Sequence, residues 1–270
     1  MYFITISEML GTKGKMIAKE VAKRLNYAFY GEEELLKAAE ESGFAPDPRQ
    51  LQETGPRFLE KLLSDKPEIN LDRLQSVIYE LAKKGDAVFF GRGSQLMLRA
   101  FDCALHVLVS GGKEARIRRV MEEHQTDTAM AERIVDRSDN DKRRFLRFAF
   151  DEDWLNPGLY DLILNTDKLS LDSAVRMIIE AGKSDEIRAC GIESVSALGR
   201  LSLTRKVEAA LLEERLMRAH IFFDVEDETV RVYGLVTSSE EKSRVTEVLS
   251  RVKGVQKVKN ELGVFSGAMQ

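Results

Sequence analysis

Ser7-Glu8-Met9-Leu10-Gly11-Thr12-Lys13-Gly14-Lys15 stands directly after a short apolar run, Tyr2 to Ile6. A helical pattern follows at once, Met16, Ile17, Val21 and Leu25, with Lys and Glu between. Strand, glycine-and-lysine turn, then helix is the layout of a phosphate-binding loop. Backbone N–H groups and the positive end of the helix dipole converge there on one anion. Gly11 and Gly14 allow close backbone approach, Thr12 offers a hydroxyl, and Lys13 or Lys15 offers charge. The loop departs from G-x-x-x-x-G-K-[ST]. If Gly14-Lys15 are its last Gly-Lys, the first glycine falls at 9 and the hydroxyl at 16, and both are methionine. The same residues also fit a βα turn with glycines for tightness, so the rest of the chain decides.

Outward from the loop, strand and helix alternate. Helical patterns are expected at 14–25, 32–41, 49–64 and 71–84, with Pro46, Pro48 and Gly85 as breakers. Ala87-Val88-Phe89-Phe90, Leu105 to Val109 and Leu162-Ile163-Leu164 are apolar runs of the kind a buried parallel strand shows. Residues 112–150 lack a strand signal and carry dense charge, which reads either as a solvated helical hairpin or as a lid. Beyond Lys183 the grammar changes. A small-residue stretch, 184–198, is a linker or one weak helix. A compact unit then follows: helix 202–217, strands 220–225 and 229–236 about the Glu226-Asp227-Glu228 turn, helix 239–251, and strand 255–264. Adjacent strand pairs make this part α+β. The expected domains are therefore 1–183 and 199–265.

Composition excludes several classes. The chain has 270 residues, 43% apolar and 32% charged, with a net charge of -4, so no global basic field asks for a nucleic acid polymer. No run approaches the ~18 apolar residues of a membrane helix, and no signal-peptide pattern opens the sequence. Cys103 and Cys190 have no CxxC partner, so reduced thiols and a cytoplasmic location are expected. His106, His124 and His220 lack metal-ligand spacing.

Two further elements point to phosphate chemistry. Arg92, between Gly91 and Gly93 at the carboxyl end of a buried strand, is aimed at the crevice where open α/β sheets bind ligands, and its guanidinium suits a phosphate. Arg116 and Asp141-Lys142-Arg143-Arg144 put cations on the lid segment, where closure would bring them over transferred charge.

Taken in order, these motifs resemble the cytidylate-kinase-like family of P-loop nucleoside monophosphate kinases. The resemblance also rests on Phe29-Tyr30, Arg116-Ile117, Trp154 and Tyr160-Asp161-Leu162-Ile163-Leu164-Asn165-Thr166, and spans residues 1 to about 181. It implies a three-layer α/β P-loop kinase fold, with a parallel sheet and a helical lid. The implied activity is magnesium- and ATP-dependent phosphorylation of CMP or dCMP. Carried over, Gly11, Thr12, Lys13, Gly14 and Lys15 would hold ATP phosphates, Thr12 would also meet magnesium, and Arg92 would contact the acceptor nucleotide. Lys15, Arg116, Asp141 and Arg144 would be the catalytic set. Three positions leave the family pattern S-R-x-x-G-S-G-G-[RK]. Glu8 replaces an arginine, Lys13 replaces a glycine, and Gly31 stands where an aspartate follows the aromatic pair. The alternative expectation is thus a degenerate kinase fold that binds nucleotide without turnover.

The C-terminal unit resembles a BON domain through Val230-Arg231-Val232-Tyr233-Gly234-Leu235-Val236, Gly254-Val255 and Val258-Lys259-Asn260-Glu261-Leu262. It reads either as a regulatory or interaction module for a protein or small ligand, through which a sensor would signal, or as a purely structural appendage. The sequence leaves oligomeric state open.

Overall fold

The computed structural model describes residues 2–42, 66–187, 189–217 and 220–265. The helix expected at 49–64 lies outside the described residues. These residues fall into two compact units, 2–40 with 84–191 and 41–42 with 66–83 and 192–265.

The first unit is built on β1 (Phe3–Glu8), α1 (Gly14–Leu25), β2 (Ala28–Tyr30) and α2 (Glu32–Glu41). α3 (Pro67–Ala82) belongs to the second unit, although its sequence lies within the expected first domain of 1–183. The first unit resumes with β3 (Ala87–Phe90), α4 (Ser94–Met97), β4 (Ala104–Ser110), α5 (Lys113–His124), α6 (Thr128–Phe150), β5 (Leu162–Asn165) and α7 (Leu171–Gly182). Its five strands form one parallel sheet in the order β2-β3-β1-β4-β5. β1 is central, with Ile4 level with Val88 on one side and Leu105 on the other. Phe3, Ile4, Thr5 and Ile6 are all buried, which explains the unbroken apolar reading of a strand covered on both faces. α1 and α7 lay Ile17, Val21, Val175 and Ile178 against this sheet. The apolar stripe of α1 follows the 3.6-residue period, and Asn26 in the left-handed region ends the helix. Because β1 runs parallel to its neighbours, its carboxyl end delivers residues 7–13 to the same edge of the sheet as the β3–α4 turn.

The charged segment after β4 is the helical hairpin α5–α6. Asp127 caps α6 by accepting from the Met130 amide at 2.8 Å. A small core of Val120, Ala131 and Val135 holds the two helices together.

The second unit pairs α3 with α8 (Ile192–Glu213). The Ser202 hydroxyl donates to the Ser76 carbonyl at 3.1 Å and to Glu80 Oε1 at 2.8 Å, and Lys206 Nζ lies 3.0 Å from the same carboxylate. Part of the stretch expected as linker is therefore ordered helix, and α8 begins ten residues before the helix expected at 202. β6 (Ile221–Glu226), β7 (Thr229–Val236) and β8 (Lys257–Val264) form a three-stranded sheet, antiparallel then parallel, with α9 (Ser239–Arg251) between β7 and β8. Val207, Ile221, Val232, Val245, Leu249 and Leu262 fill its core.

Cys103 and Cys190, expected as reduced thiols, are joined in a disulfide, with Cα atoms 5.2 Å apart. Their 87-residue separation gave no sequence sign of a pair.

Candidate functional site

The turn from β1 into α1 is held from below. Gly11 sits at φ +87°, and a Cβ there would lie 2.7 Å from the Arg116 carbonyl, so only glycine lets α5 approach so closely. Arg119 donates from Nη1 to the Gly11 carbonyl at 3.2 Å and from Nη2 to the Thr166 carbonyl at 2.7 Å. Thr12 is buried, and its hydroxyl donates to the Met9 carbonyl at 2.7 Å, which uses that group inside the turn and away from its mouth. Lys13 adopts φ 63° even though it is not glycine, a conformation costing on the order of 1 kcal/mol. The left-handed backbone expected of the missing glycine is thus preserved with a side chain attached. Lys15 is half exposed, with Nζ 3.6 Å from Glu33.

The mouth of the turn holds Glu8. Its Oε2 accepts from the Lys15 amide at 3.3 Å, and a Cβ on Gly14 would come within 2.7 Å of that oxygen. Burial pushes the Glu8 carboxyl above its usual range, against the opposing pull of Lys142 and of the Gly14 and Lys15 amides. Beyond it opens a cleft of about 300 Å³, lined among others by Glu8, Lys15, Arg92, Asp141, Lys142 and Trp154. Arg92 stands at φ 61° between two left-handed glycines, and its Nη2 lies 2.6 Å from Glu32. Burial pulls its guanidinium down from the ordinary value, with Glu32 opposing. Lys142 Nζ donates to Ser138 Oγ at 3.1 Å and lies 5.6 Å from the centre of the Trp154 ring. Burial lowers its ammonium pKa too, with Glu8 and Asp139 opposing. On the cleft wall, Tyr160 donates to the Trp154 carbonyl at 2.8 Å, and burial pushes its phenol up to about 12.

Two family profiles match the chain, the cytidylate kinase-like family over residues 3–168 and the BON domain over residues 201–264. This chain belongs to the cytidylate kinase-like family. Among solved structures it is similar to an uncharacterized protein from Eubacterium ventriosum, at 21% identity and TM-score 0.55, over 67% of this chain and 97% of that one. It also aligns with a shikimate kinase from Bacteroides thetaiotaomicron, at 16% identity and TM-score 0.44, covering 67% and 97%. A gluconokinase from Sinorhizobium meliloti aligns at 12% and 0.41, covering 67% and 90%. No curated protein matches the chain. The five-stranded parallel sheet, loop and hairpin are the P-loop kinase-like fold, and the small second sheet with its helix is the BON unit.

Within the cytidylate kinase-like unit, the residues singled out from sequence separate into two groups. Gly11, Gly14, Lys15, Arg92 and Asp141 gather at the loop or line the cleft. Arg116 is buried behind it, with Nη1 and Nη2 forked onto Asp139 at 2.9 and 2.7 Å, so it joins α5 to α6. Arg144 faces solvent and is not part of the cleft lining; the cation that α6 turns inward is Lys142. Asp139 and Arg119 were not singled out, and Lys142 was named only within the charge run of the lid, yet helical spacing carries the signal for all three. Ser138, Asp141, Lys142 and Phe145 share one face of α6 with a three- to four-residue period, and Arg119 lies three residues beyond Arg116.

These side chains do not fit a magnesium ion at the loop. Thr12 Oγ1 is turned inward and position 16 is an exposed methionine, so neither offers a ligand at the loop mouth. Among the described residues no cluster of three or more His, Cys, Asp or Glu could hold a metal.

Proposed function

We propose that the first unit is a phosphotransferase that moves a phosphoryl group from ATP to a small phosphate-bearing acceptor, CMP or dCMP in the first instance. The observation that carries this reading is the convergence of the α1 N-terminal turn, Arg92 and Lys142 on one cleft. Phosphoryl transfer asks a protein mainly for positioning and for cations around the moving group. The α1 amides and Lys15 would hold the donor phosphates, Arg92 would receive the acceptor phosphate, and Lys142 would face the charge between them. Magnesium would arrive with ATP, since the described residues at the loop offer it no ligand set. The Arg116–Asp139 pair would keep the hairpin in one arrangement over the site.

A second reading, nucleotide binding without turnover, draws support from the acidic side chain at the loop mouth. In either case the BON unit would serve as an interaction module. ATP chemistry makes the cytoplasm the location this reading requires; a Cys103–Cys190 disulfide there would face a reducing pool.

The test is an ADP-release assay with CMP, dCMP, UMP and AMP, alongside ATP-dependent melting shifts. Turnover with a pyrimidine monophosphate, reduced at least ~100-fold in kcat/KM by Arg92→Ala, is the expected result. ATP stabilisation without turnover for any acceptor would select the second reading, and the absence of both would refute both.

A further inference from the structure

We propose that Glu8 is an intramolecular occupant of the phosphate loop, and that an incoming phosphate binds by displacing its carboxylate from the amides at the start of α1. The inference rests on the reading of that loop as a phosphate site. It adds that the site is already filled, by a residue that leaves the family pattern.

Three observations carry it. First, the Glu8 carboxylate accepts from the Lys15 amide at 3.3 Å, where the helix start and its dipole would otherwise receive an anion. Second, the turn is shaped around this side chain. Gly14 has no room for a Cβ because Glu8 lies against it, so carboxylate and glycine depend on one another. Third, the Lys142 ammonium lines the same cleft with no carboxylate at ion-pair distance among the described residues; its one hydrogen bond there goes to a serine hydroxyl. A sunken cation with no carboxylate paired to it is suited to a charge brought by a ligand.

The exchange then has a definite sense. A carboxylate and a phosphate cannot share two amides, because like charges a few ångströms apart repel. Glu8 must turn aside, and it does so more readily when protonated. Besides burial, Lys142 on α6 and the Gly14 and Lys15 amides of α1 lower its proton affinity and Glu123 on α5 raises it, while Lys15, Glu32 on α2, Arg92 of the β3–α4 turn and Asp141 on α6 line the same cleft. Burial already lifts the Glu8 pKa. Phosphate binding should therefore take up a proton and weaken as pH rises. Lys142 also favours weaker binding at high pH as it sheds its own proton, so a variant is needed to separate the two.

The experiment is calorimetric titration of the full chain with inorganic sulfate, whose charge stays constant over the range, at about pH 5 and about pH 8. For the natural chain the expected result is about tenfold weaker binding at the higher pH. The binding heat should also change with the buffer's ionisation enthalpy, showing proton uptake. Glu8→Gln should bind more tightly than the natural chain at about pH 8, with a shallower pH slope and less proton uptake, the remainder being Lys142's. Equal affinity and equal pH slope in both proteins would overturn the inference and leave the phosphate site standing. Weaker binding by Glu8→Gln at both pH values would make Glu8 a contributor and overturn it as well. No sulfate or ATP binding by either protein would remove the phosphate site and this inference together. If Glu8→Gln does not fold, absence of proton uptake by the natural chain is itself sufficient to overturn it.

Discussion

Lys142 and Arg144 differ by two positions on α6, and that offset separates a residue in the cleft from one in solvent. Two residues turn a helix by about 200°, so adjacent charges in Asp141-Lys142-Arg143-Arg144 cannot all face one way. The charge run was legible in the sequence; its inward face required counting from buried Phe145 and Leu146, which share the face of Lys142. Burying the ammonium costs stability, and the depressed pKa records that cost. Lys142→Met is accordingly expected to leave the melting temperature unchanged or raise it, while lowering ATP affinity about tenfold or more. Melting curves and calorimetry on the same preparation check the two halves. A loss of both stability and binding would assign Lys142 a structural role.

At the scale of elements, the α3–α8 pair contains a buried acid. Asp72 on α3 lies 3.3 Å from Arg205 and near Glu208 on α8, and burial first, then Glu208, push its pKa up to about 7. The folded state thus holds this proton more tightly than the unfolded chain. Its stabilising contribution is full below the ordinary aspartate pKa and is lost as pH rises through about 7. Asp72→Asn should therefore raise the melting temperature by a few degrees at about pH 8, with a smaller rise at about pH 5 and little effect near pH 4. A melting series across that range checks it, and an equal shift at both ends would contradict it. Strands were easier to read than helix starts. β1, β3 and β4 announce themselves as apolar runs, whereas α8 buries Leu198, Ser202, Leu203, Val207, Ala209 and Leu211 on several sides. A helix that meets more than one partner shows no single stripe, so its first turns resemble a linker.

Across the whole molecule, two arrangements join distant sequence. The Cys103–Cys190 disulfide closes most of the second half of the first unit. In the chain-entropy account, a loop of 87 residues corresponds to about 4.6 kcal/mol of stabilisation. Reduction should therefore lower the melting temperature of the native chain, as measured with and without dithiothreitol. A Cys190→Ser variant should melt with the reduced protein, and no shift on reduction would show that the bond does not constrain the fold. The second arrangement is the assignment of α3 to the C-terminal unit. Its sequence position between α2 and β3 suggests a place in the alternating domain, but its packing partner is α8.

The local grammar was enough for the fold class: an apolar strand, a glycine-and-lysine turn, an amphipathic helix, a charged hairpin, and a change of period beyond Lys183. These signals depend on neighbours within a few residues, and the backbone's two periods make them readable. Other facts depend on elements far apart in sequence. Among them are that Glu8 turns back onto its own loop, that Lys142 reaches the cleft, that Arg116 is taken by Asp139, and that Cys103 meets Cys190. Each is a matter of which side chains the parallel sheet and the packed helices bring within a few ångströms. That choice is made by burial and charge summed over the folded chain, and no short stretch of sequence contains it.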